Sequence, residues 1–423
     1  MPRLTRPARL LAAALVLTAT ASACGGQDAV APTSSSAPAS GSAAPAGFEA
    51  VKAAAQGQTV NWYMYGGDDA LNAYVNGYVK DSLAELGITL NQVKISDTAE
   101  AVNKVLGEKQ AGKDTGGSVD LIWINGENFA TLKQADALTC GYVETLPSAA
   151  NVDLASPGIA TDFGRPTEGC EVPWQQATSS LVYDSSALTE TDTASVTSLF
   201  DWAEAHPGRF TYPAPPDFTG SMAVRTFFFD TAGGADQFLG EFDRAAYDAA
   251  APRLWQRLND LEPSLYRSGE TYPAGGPEVE KLFAGDEIDA YLTYASSGVG
   301  TLVEKGTYDG ATREAVFDSG NIGNYSFTAI PYNAAHKEAA MVLADLLLSP
   351  EAALENAGPD GAGFTSAIDL AKLPADQAKP FEALQQSPYQ VPPAELAAKT
   401  LPEVSSDYVD RLEKDWKANV LQR

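Results

Sequence analysis

Thr59-Val60-Asn61-Trp62-Tyr63-Met64-Tyr65-Gly66-Gly67-Asp68-Asp69 is the stretch that decides the fold class. Its first seven residues are rich in β-branched and aromatic side chains and read as a strand. Two glycines and two aspartates then break the run. Beyond the break, Leu71, Tyr74, Val75, Tyr78, Leu83 and Leu86 recur mostly three or four residues apart, the period of an amphipathic helix, and Gly87 supplies a stop. Residues 88–95 read as a second strand. Asp97-Thr98-Ala99-Glu100 has the form of a capping box, opening a helix that carries Val102, Val105 and Leu106. Val119-Asp120-Leu121-Ile122-Trp123-Ile124 is a third strand, ended by Asn125-Gly126, and Glu127 begins another helix. Strand, helix, strand, helix, strand predicts an α/β lobe with a parallel sheet.

Ligands of such sheets bind beyond the carboxyl ends of the strands. Tyr65-Gly66-Gly67-Asp68 and Asn125-Gly126-Glu127-Asn128 are two such ends, each with glycine for close backbone approach and polar groups at a helix start. One turn of this kind is ordinary βα chemistry; two, each beside an aromatic residue, point to a site. Further along, Cys170 to Asp184 is strand-like in its later half, and a second α/β stretch runs from Phe210 to Asn324. Within it, Tyr212-Pro213-Ala214-Pro215-Pro216-Asp217-Phe218-Thr219-Gly220-Ser221 is a rigid loop that delivers Thr219 to Ser221 to a helix start. Tyr291-Leu292-Thr293-Tyr294-Ala295-Ser296-Ser297-Gly298 reads as a strand entering a polar turn. In the tail, Ser405-Ser406-Asp407 caps a helix whose Tyr408, Leu412 and Trp416 form a core-facing stripe.

The other end of the chain carries an address. Arg3, Arg6 and Arg9 precede the apolar run of residues 10–19, and Ala21-Ser22-Ala23-Cys24 follows it. A basic region, a short apolar region and small residues before a cleavage point form a secretory signal. A cysteine at the first mature position makes it a bacterial lipoprotein signal, with Cys24 the lipidated residue. The apolar run is too short to span a bilayer, which takes about 20 residues. Residues 27–47 hold one charged residue and no aromatic. They cannot bury enough apolar area to offset their ordering entropy, so they read as a flexible tether with a span of roughly 25 Å.

The formal charge of −27 becomes −30 once the three signal arginines are removed. That balance argues against nucleic acid or an anionic membrane surface as a partner. If Cys24 carries lipid, Cys140 and Cys170 remain, and a leftover pair in an exported protein reads as a disulfide, with two buried thiols as the alternative. Only two histidines occur, His206 and His336, both read as surface residues. Without paired histidines there is no zinc hydrolase motif and no Ser-His-Asp set, and neither nucleotide-binding glycine motif is present. No metal and no cofactor is expected, and no enzyme activity. An exported glycosidase needs only two carboxylates and is the alternative, but no pair is singled out by its surroundings.

These pieces together resemble the extracellular solute-binding proteins of ABC importers, family 1, YnjB-type, a subgroup labelled as thiamine-binding, with the type 2 periplasmic-binding fold. The residues that carry the resemblance are Tyr65-Gly66-Gly67, Leu121 to Phe129, Val172-Pro173-Trp174-Gln175, Pro213 to Ser221 and, most specifically, Ile322 to Lys337 followed by Leu346-Leu347-Leu348-Ser349-Pro350-Glu351. The resemblance implies two α/β lobes joined by a hinge, with a small solute between them. It implies residues 58–173 plus about 325–350 as lobe 1, residues 174–324 as lobe 2, and residues 351–423 as a C-terminal helical segment packed on the lobes. These follow a signal peptide over 1–23 and a lipidated, disordered linker over 24–57. The chain crosses between lobes near Trp174 to Tyr183 and near Asn321 to Pro331. Solute contacts are expected from Tyr65, Gly66, Gly67, Asn125, Gly126 and Glu127 in lobe 1 and from Trp174 and Gln175 at the first crossing. Thr219, Gly220, Ser221 and Tyr294 are expected from lobe 2, and Asn324 from the return crossing. Trp174 either faces solute or packs the hinge. Tyr65, Trp174 and Tyr294 suit a ring or a cation; the amides and hydroxyls of Thr219 to Ser221 suit an anionic group. The implied partners are a membrane permease and its ATPase, with the binding protein a lipid-anchored monomer at the outer face of the membrane. A sensory lipoprotein of the same fold is a further alternative.

Overall fold

The computed structural model describes residues 47–294, 298–358, 361–384 and 387–422. Cys24, the signal segment, the linker up to residue 46, and Ser296 and Ser297 of the polar turn lie outside the described residues. The strands, in chain order, are β1 Thr59–Tyr65, β2 Thr89–Ile95, β3 Leu121–Ile124, β4 Thr161–Asp162, β5 Arg165–Pro166, β6 Glu171–Thr178, β7 Ser180–Asp184, β8 Ala290–Thr293, β9 Thr312–Ala315, β10 Asn321–Ala329, β11 Thr365–Ser366 and β12 Thr400–Leu401.

Lobe 1 is built on the large sheet, in the order β11-β6-β10-β3-β1-β2, with β12 added to β10. β1 pairs in parallel with β2 and β3, from Thr59 opposite Thr89 to Tyr65 opposite Ile95. β10 runs antiparallel to β3 and β6. Side chains alternate across the sheet. Val60, Trp62 and Met64 point into a core with Leu71, Tyr74, Val75, Val79 and Leu83 of the first long helical run. On the other face Ile122 and Ile124 meet Val102, Val105, Phe129 and Leu132. The predicted helix after β1 forms as Asp69–Tyr74 and Lys80–Glu85, joined by a π-helical turn over Val75–Val79. The capping box closes as expected: Asp97 Oδ1 accepts from the Ala99 amide, and Glu100 Oε1 accepts from the amides of Ser96 and Asp97.

Lobe 2 holds the smaller antiparallel sheet β8-β7-β9. Leu181, Tyr183 and Leu292 from that sheet are buried under the helices Val196–Ala205, Phe218–Ala232 and Arg244–Leu261. The predicted stripe of Tyr408, Leu412 and Trp416, on the helix Ser406–Trp416, lies in this core.

The elements locate the crossings more finely. The β6–β10 ladder continues to Thr178 opposite Gly323, so the chain leaves the large sheet at Ser179 and returns to it at Asn321, both within the expected crossings. At the front, Phe48–Ala55 is a helix with Val51 and Ala55 buried against the helix Lys337–Leu347, so helical structure starts ten residues before the expected start of lobe 1 at residue 58. The C-terminal segment touches both lobes. It begins with Pro350–Ala357 in lobe 1, where Tyr74 donates to the Ala352 carbonyl at 2.9 Å, and ends in the lobe 2 core.

Cys140 and Cys170 are bonded, closing a 30-residue separation. A loop of that length is worth about 3–4 kcal/mol in the chain-entropy account. His336 is half-buried rather than exposed, because its amide donates to the buried Asp120 carboxylate at 2.9 Å. No helix among the described residues is long and apolar enough to cross a membrane.

Candidate functional site

The inner end of β1 is shaped by its glycines. A Cβ on Gly67 would lie 2.1 Å from the Tyr65 hydroxyl, and one on Gly66 would lie 2.7 Å from Lys94 Cβ. Gly67 therefore stays bare so that the Tyr65 ring can fold over the turn, and Gly66 so that the Lys94 side chain can pass. Tyr65 is 37% exposed. Its hydroxyl pKa is raised by burial, and then by Asp217, Asp68 and Glu280. Asp217 and Glu280 belong to lobe 2, so this turn faces the other lobe. Asp68 caps the helix Asp69–Tyr74 by accepting from Leu71 N at 2.9 Å.

Opposite it, the loop 213–217 turns the chain into the helix Phe218–Ala232. Asp217 accepts from the Gly220 amide at 3.0 Å. Gly220 is forced: a Cβ there would sit 2.3 Å from the Pro213 carbonyl oxygen. The helix start presents Phe218, which is 47% exposed and stacks on Tyr294 with centroids 5.0 Å apart. A later helix, Gly276–Ala284, brings Glu280, whose carboxyl is pushed up to about 7 by burial and then by Asp68. Burial also raises Asp68 and Asp217 above the usual carboxylate range.

A second group lies at the β3 end. Gly126 has φ +59°, a left-handed value that glycine adopts without strain, and its amide donates to Asp162 Oδ2 at 2.6 Å. Glu127 is raised by desolvation and by Glu413 and Asp410 of the C-terminal helix, with Arg225 opposing. Among the described residues, no lysine or arginine forms an ion pair with Asp68, Asp217, Glu280, Glu127 or Glu413.

The remaining expected residues are spent inside the protein. Glu403 Oε1 accepts from Arg225 Nη2 at 2.8 Å, Tyr294 OH at 2.9 Å and Asn324 Nδ2 at 3.3 Å. Arg225 Nη1 donates to Ser221 Oγ, which in turn donates to Glu413 at 2.6 Å. Ser221, Tyr294 and Asn324 thus hold the C-terminal segment across the hinge. Trp174 is 2% exposed, edge-on to Trp62 and Trp123, and packs the hinge core rather than facing solute. Gln175 is fully buried and bonded to Asn356. The Asn125 amide is tied to the Tyr325 carbonyl. Thr219 is half-buried beside Gly276, with its Oγ1 3.0 Å from where a Cβ on that glycine would lie. The inner surface of the two lobes therefore offers Tyr65, Gly66, Gly67, Glu127 and Thr219 from the expected set, while Gly126 is buried with its amide held by Asp162. It adds Asp68, Asp217, Phe218 and Glu280, which motif reading did not select. Asp68 and Asp217 stood inside the quoted stretches and prove to cap the helices that follow; Glu280 lies in a helix with no local signal.

This architecture has known counterparts. A profile described as bacterial extracellular solute-binding protein matches residues 77–381. Protein YnjB of Escherichia coli strain K12 is 34% identical over 369 residues, covering 87% of this chain and 92% of that one. Among solved structures, a periplasmic thiamin binding protein superposes with a TM-score of 0.56 at 19% identity, covering 86% of this chain and 96% of that one. The spermidine/putrescine substrate-binding protein PotD of Streptococcus pneumoniae, in complex with calcium and HEPES, gives 0.56 at 14%, with 86% and 99% covered. The periplasmic binding protein AfuA of Actinobacillus pleuropneumoniae, with fructose-6-phosphate bound, gives 0.58 at 12%, with 86% and 99% covered. At these identities the solved structures establish the shared two-lobed fold. The match over most of the chain establishes more: this chain belongs to the family of bacterial extracellular solute-binding proteins.

Proposed function

We propose that the chain captures a small organic cation with a flat ring, thiamine or a near chemical relative, and hands it to a permease driven by a separate ATPase. One observation carries this reading. Among the described residues, Tyr65 and Phe218 are the two aromatic side chains in the set of exposed large hydrophobic residues, and they stand on opposite lobes, each beside an acid without an ion-pair partner, Asp68 and Asp217. Aromatic faces with carboxylates alongside attract a cation through both the ring quadrupole and the charge. A phosphorylated sugar would meet the same carboxylates as repulsion. The periplasmic thiamin binding protein of the same fold is consistent with this solute class. Closure follows from differential affinity: solute touches both lobes only when they meet.

Thermal-shift measurement tests the solute. Thiamine at about 100 times its dissociation constant should add about 2.7 kcal/mol of stability, while fructose-6-phosphate should add none. Absence of a shift with thiamine removes the thiamine proposal, and a shift with spermidine alone moves the solute to the polyamines.

We also propose that the protein works as a monomer held at the outer face of the membrane by lipid on Cys24. The signal at residues 1–24 supports this, and the following Ser-, Ala- and Pro-rich residues give the body reach. Cys24→Ala should release the chain from the membrane fraction into the medium. Retention of that variant on the cell would mean a different anchor.

A further inference from the structure

The short hairpin β4–β5 carries Phe163 at its tip, with φ +43°, followed by Gly164 at +74°. A left-handed conformation is costly for a residue with a bulky side chain and persists where the surroundings over-determine it. Those surroundings come from both lobes. The hairpin is fastened to lobe 1: Asp162 Oδ2 accepts from the Gly126 amide at 2.6 Å, Lys133 donates to the Pro166 carbonyl, and Lys133 pairs with Glu168 at 2.9 Å. The Phe163 ring, however, is 5% exposed within the lobe 2 core. It is the one side chain of that core that comes from lobe 1 outside the crossover strands, among the described residues. It lies 5.7 Å from the Arg225 guanidinium, and 3.4 Å from where a Cβ on Gly126 would be. Gly164 lets the Ser405 backbone approach equally closely.

We infer that Phe163 is a closure pin: a positioning residue, carried by lobe 1, whose seat in lobe 2 exists at one lobe angle and holds the lobes there. The ring touches the turn at Gly126 on one side. On the other it touches Arg225, which is bonded to Ser221, Tyr294 and Glu403. A change of lobe angle must therefore withdraw the ring from its pocket and strip the cation–π contact from Arg225. The backbone strain at φ +43° would be released in the same motion. The pin sets how much of the population is ready to grip solute, because apparent affinity scales with the competent fraction. This inference rests on the two-lobed binding fold and is independent of which solute is bound.

The test uses the full chain carrying Cys24→Ser, with spin labels at Lys104→Cys on lobe 1 and Arg253→Cys on lobe 2, without solute. Pulsed electron resonance then reads the distance distribution between lobes. The parent chain should be dominated by one narrow distance. Phe163→Ala should raise the ratio of longer to shorter distances about tenfold. Phe163→Tyr should restore the narrow distance, while Phe163→Leu, which fills the pocket without the cation–π contact, should fall between. Added thiamine should then bind Phe163→Ala more weakly than the parent, by the ratio of the two competent fractions read from the distance distributions. If Phe163→Ala melts earlier but keeps the parent distance distribution, the ring is ordinary packing and the inference is overturned. If Phe163→Ala does not fold, Phe163→Leu decides by the same reading: an unchanged distribution overturns the pin and a broadened one supports it. The distances are read without solute, so a failure of thiamine to bind leaves this result intact.

Discussion

Arg225→Met is expected to lower unfolding free energy by about 3–5 kcal/mol, read from the urea midpoint at constant slope. The Arg225 and Glu403 side chains are 1% and 4% exposed, and their ion pair spans 178 residues of chain. Two charges so buried repay their desolvation through mutual attraction and through hydrogen bonds to the remaining atoms. Removing the guanidinium leaves a carboxylate with Tyr294 and Asn324 on Oε1 and a buried Oε2 that has no protein partner. The large cost comes from that abandoned charge, not from the net worth of the pair. Arg225→Met combined with Glu403→Leu should therefore recover most of the loss, since buried pairs replaced by apolar groups are often neutral. A double variant as unstable as the single would refute this account. The location matters for function as well: Glu403 joins the C-terminal segment to Tyr294 in lobe 2 and Asn324 on the return strand, so the variant should loosen the hinge as it destabilises the fold.

The sequence carried the lobe 1 layout because periodicity there is local. The Thr59–Tyr65 strand, the helix capped at Asp97 and the turn at Asn125 each announce themselves within ten residues, and the structure forms all three. The Cys140–Cys170 bond followed from compartment and count. The burial of Trp174 and Gln175 was not legible for a physical reason: strand residues near a crossover alternate between sheet core and cleft, and the register that decides between them is set by pairing with β10, about 150 residues away. The network on Glu403 was invisible for the same cause. Ser221, Tyr294 and Asn324 look like solute ligands until a carboxylate from the far end of the chain occupies them. Glu280 had no motif at all; only its electrostatic proximity to Asp68 of the other lobe gives it a role.

Asp217→Asn combined with Glu280→Gln should weaken thiamine binding by about 30- to 1000-fold, measured by calorimetry at pH 8. A cation within about 4 Å of one carboxylate gains on the order of 4 kcal/mol at an effective dielectric near 20, part of it lost to desolvation. Losing two such partners by neutral isosteres removes the attraction with little change of shape. The pH dependence has a definite sign. Glu280 is pushed up to about 7 by burial and by Asp68, and it also faces Tyr65, Tyr291 and Tyr308. Its folded pKa lies above the ordinary glutamate value, so the folded chain holds the extra proton. The solute-free protein loses stability as pH rises from about 4.5 through about 7. A bound cation favours the ionised form and relieves that cost, so affinity should increase over the same interval and level off above it. Glu280→Gln alone should make the solute-free protein more stable than the parent at pH 8 and equal to it at pH 4, while flattening the rise of affinity with pH. Such a residue destabilises the empty site in exchange for grip on the solute, a common trade at binding sites. If Glu280→Gln leaves both the pH-dependence of affinity and the pH 8 stability unchanged, Glu280 does not meet the solute and the cation reading loses its lobe 2 carboxylate.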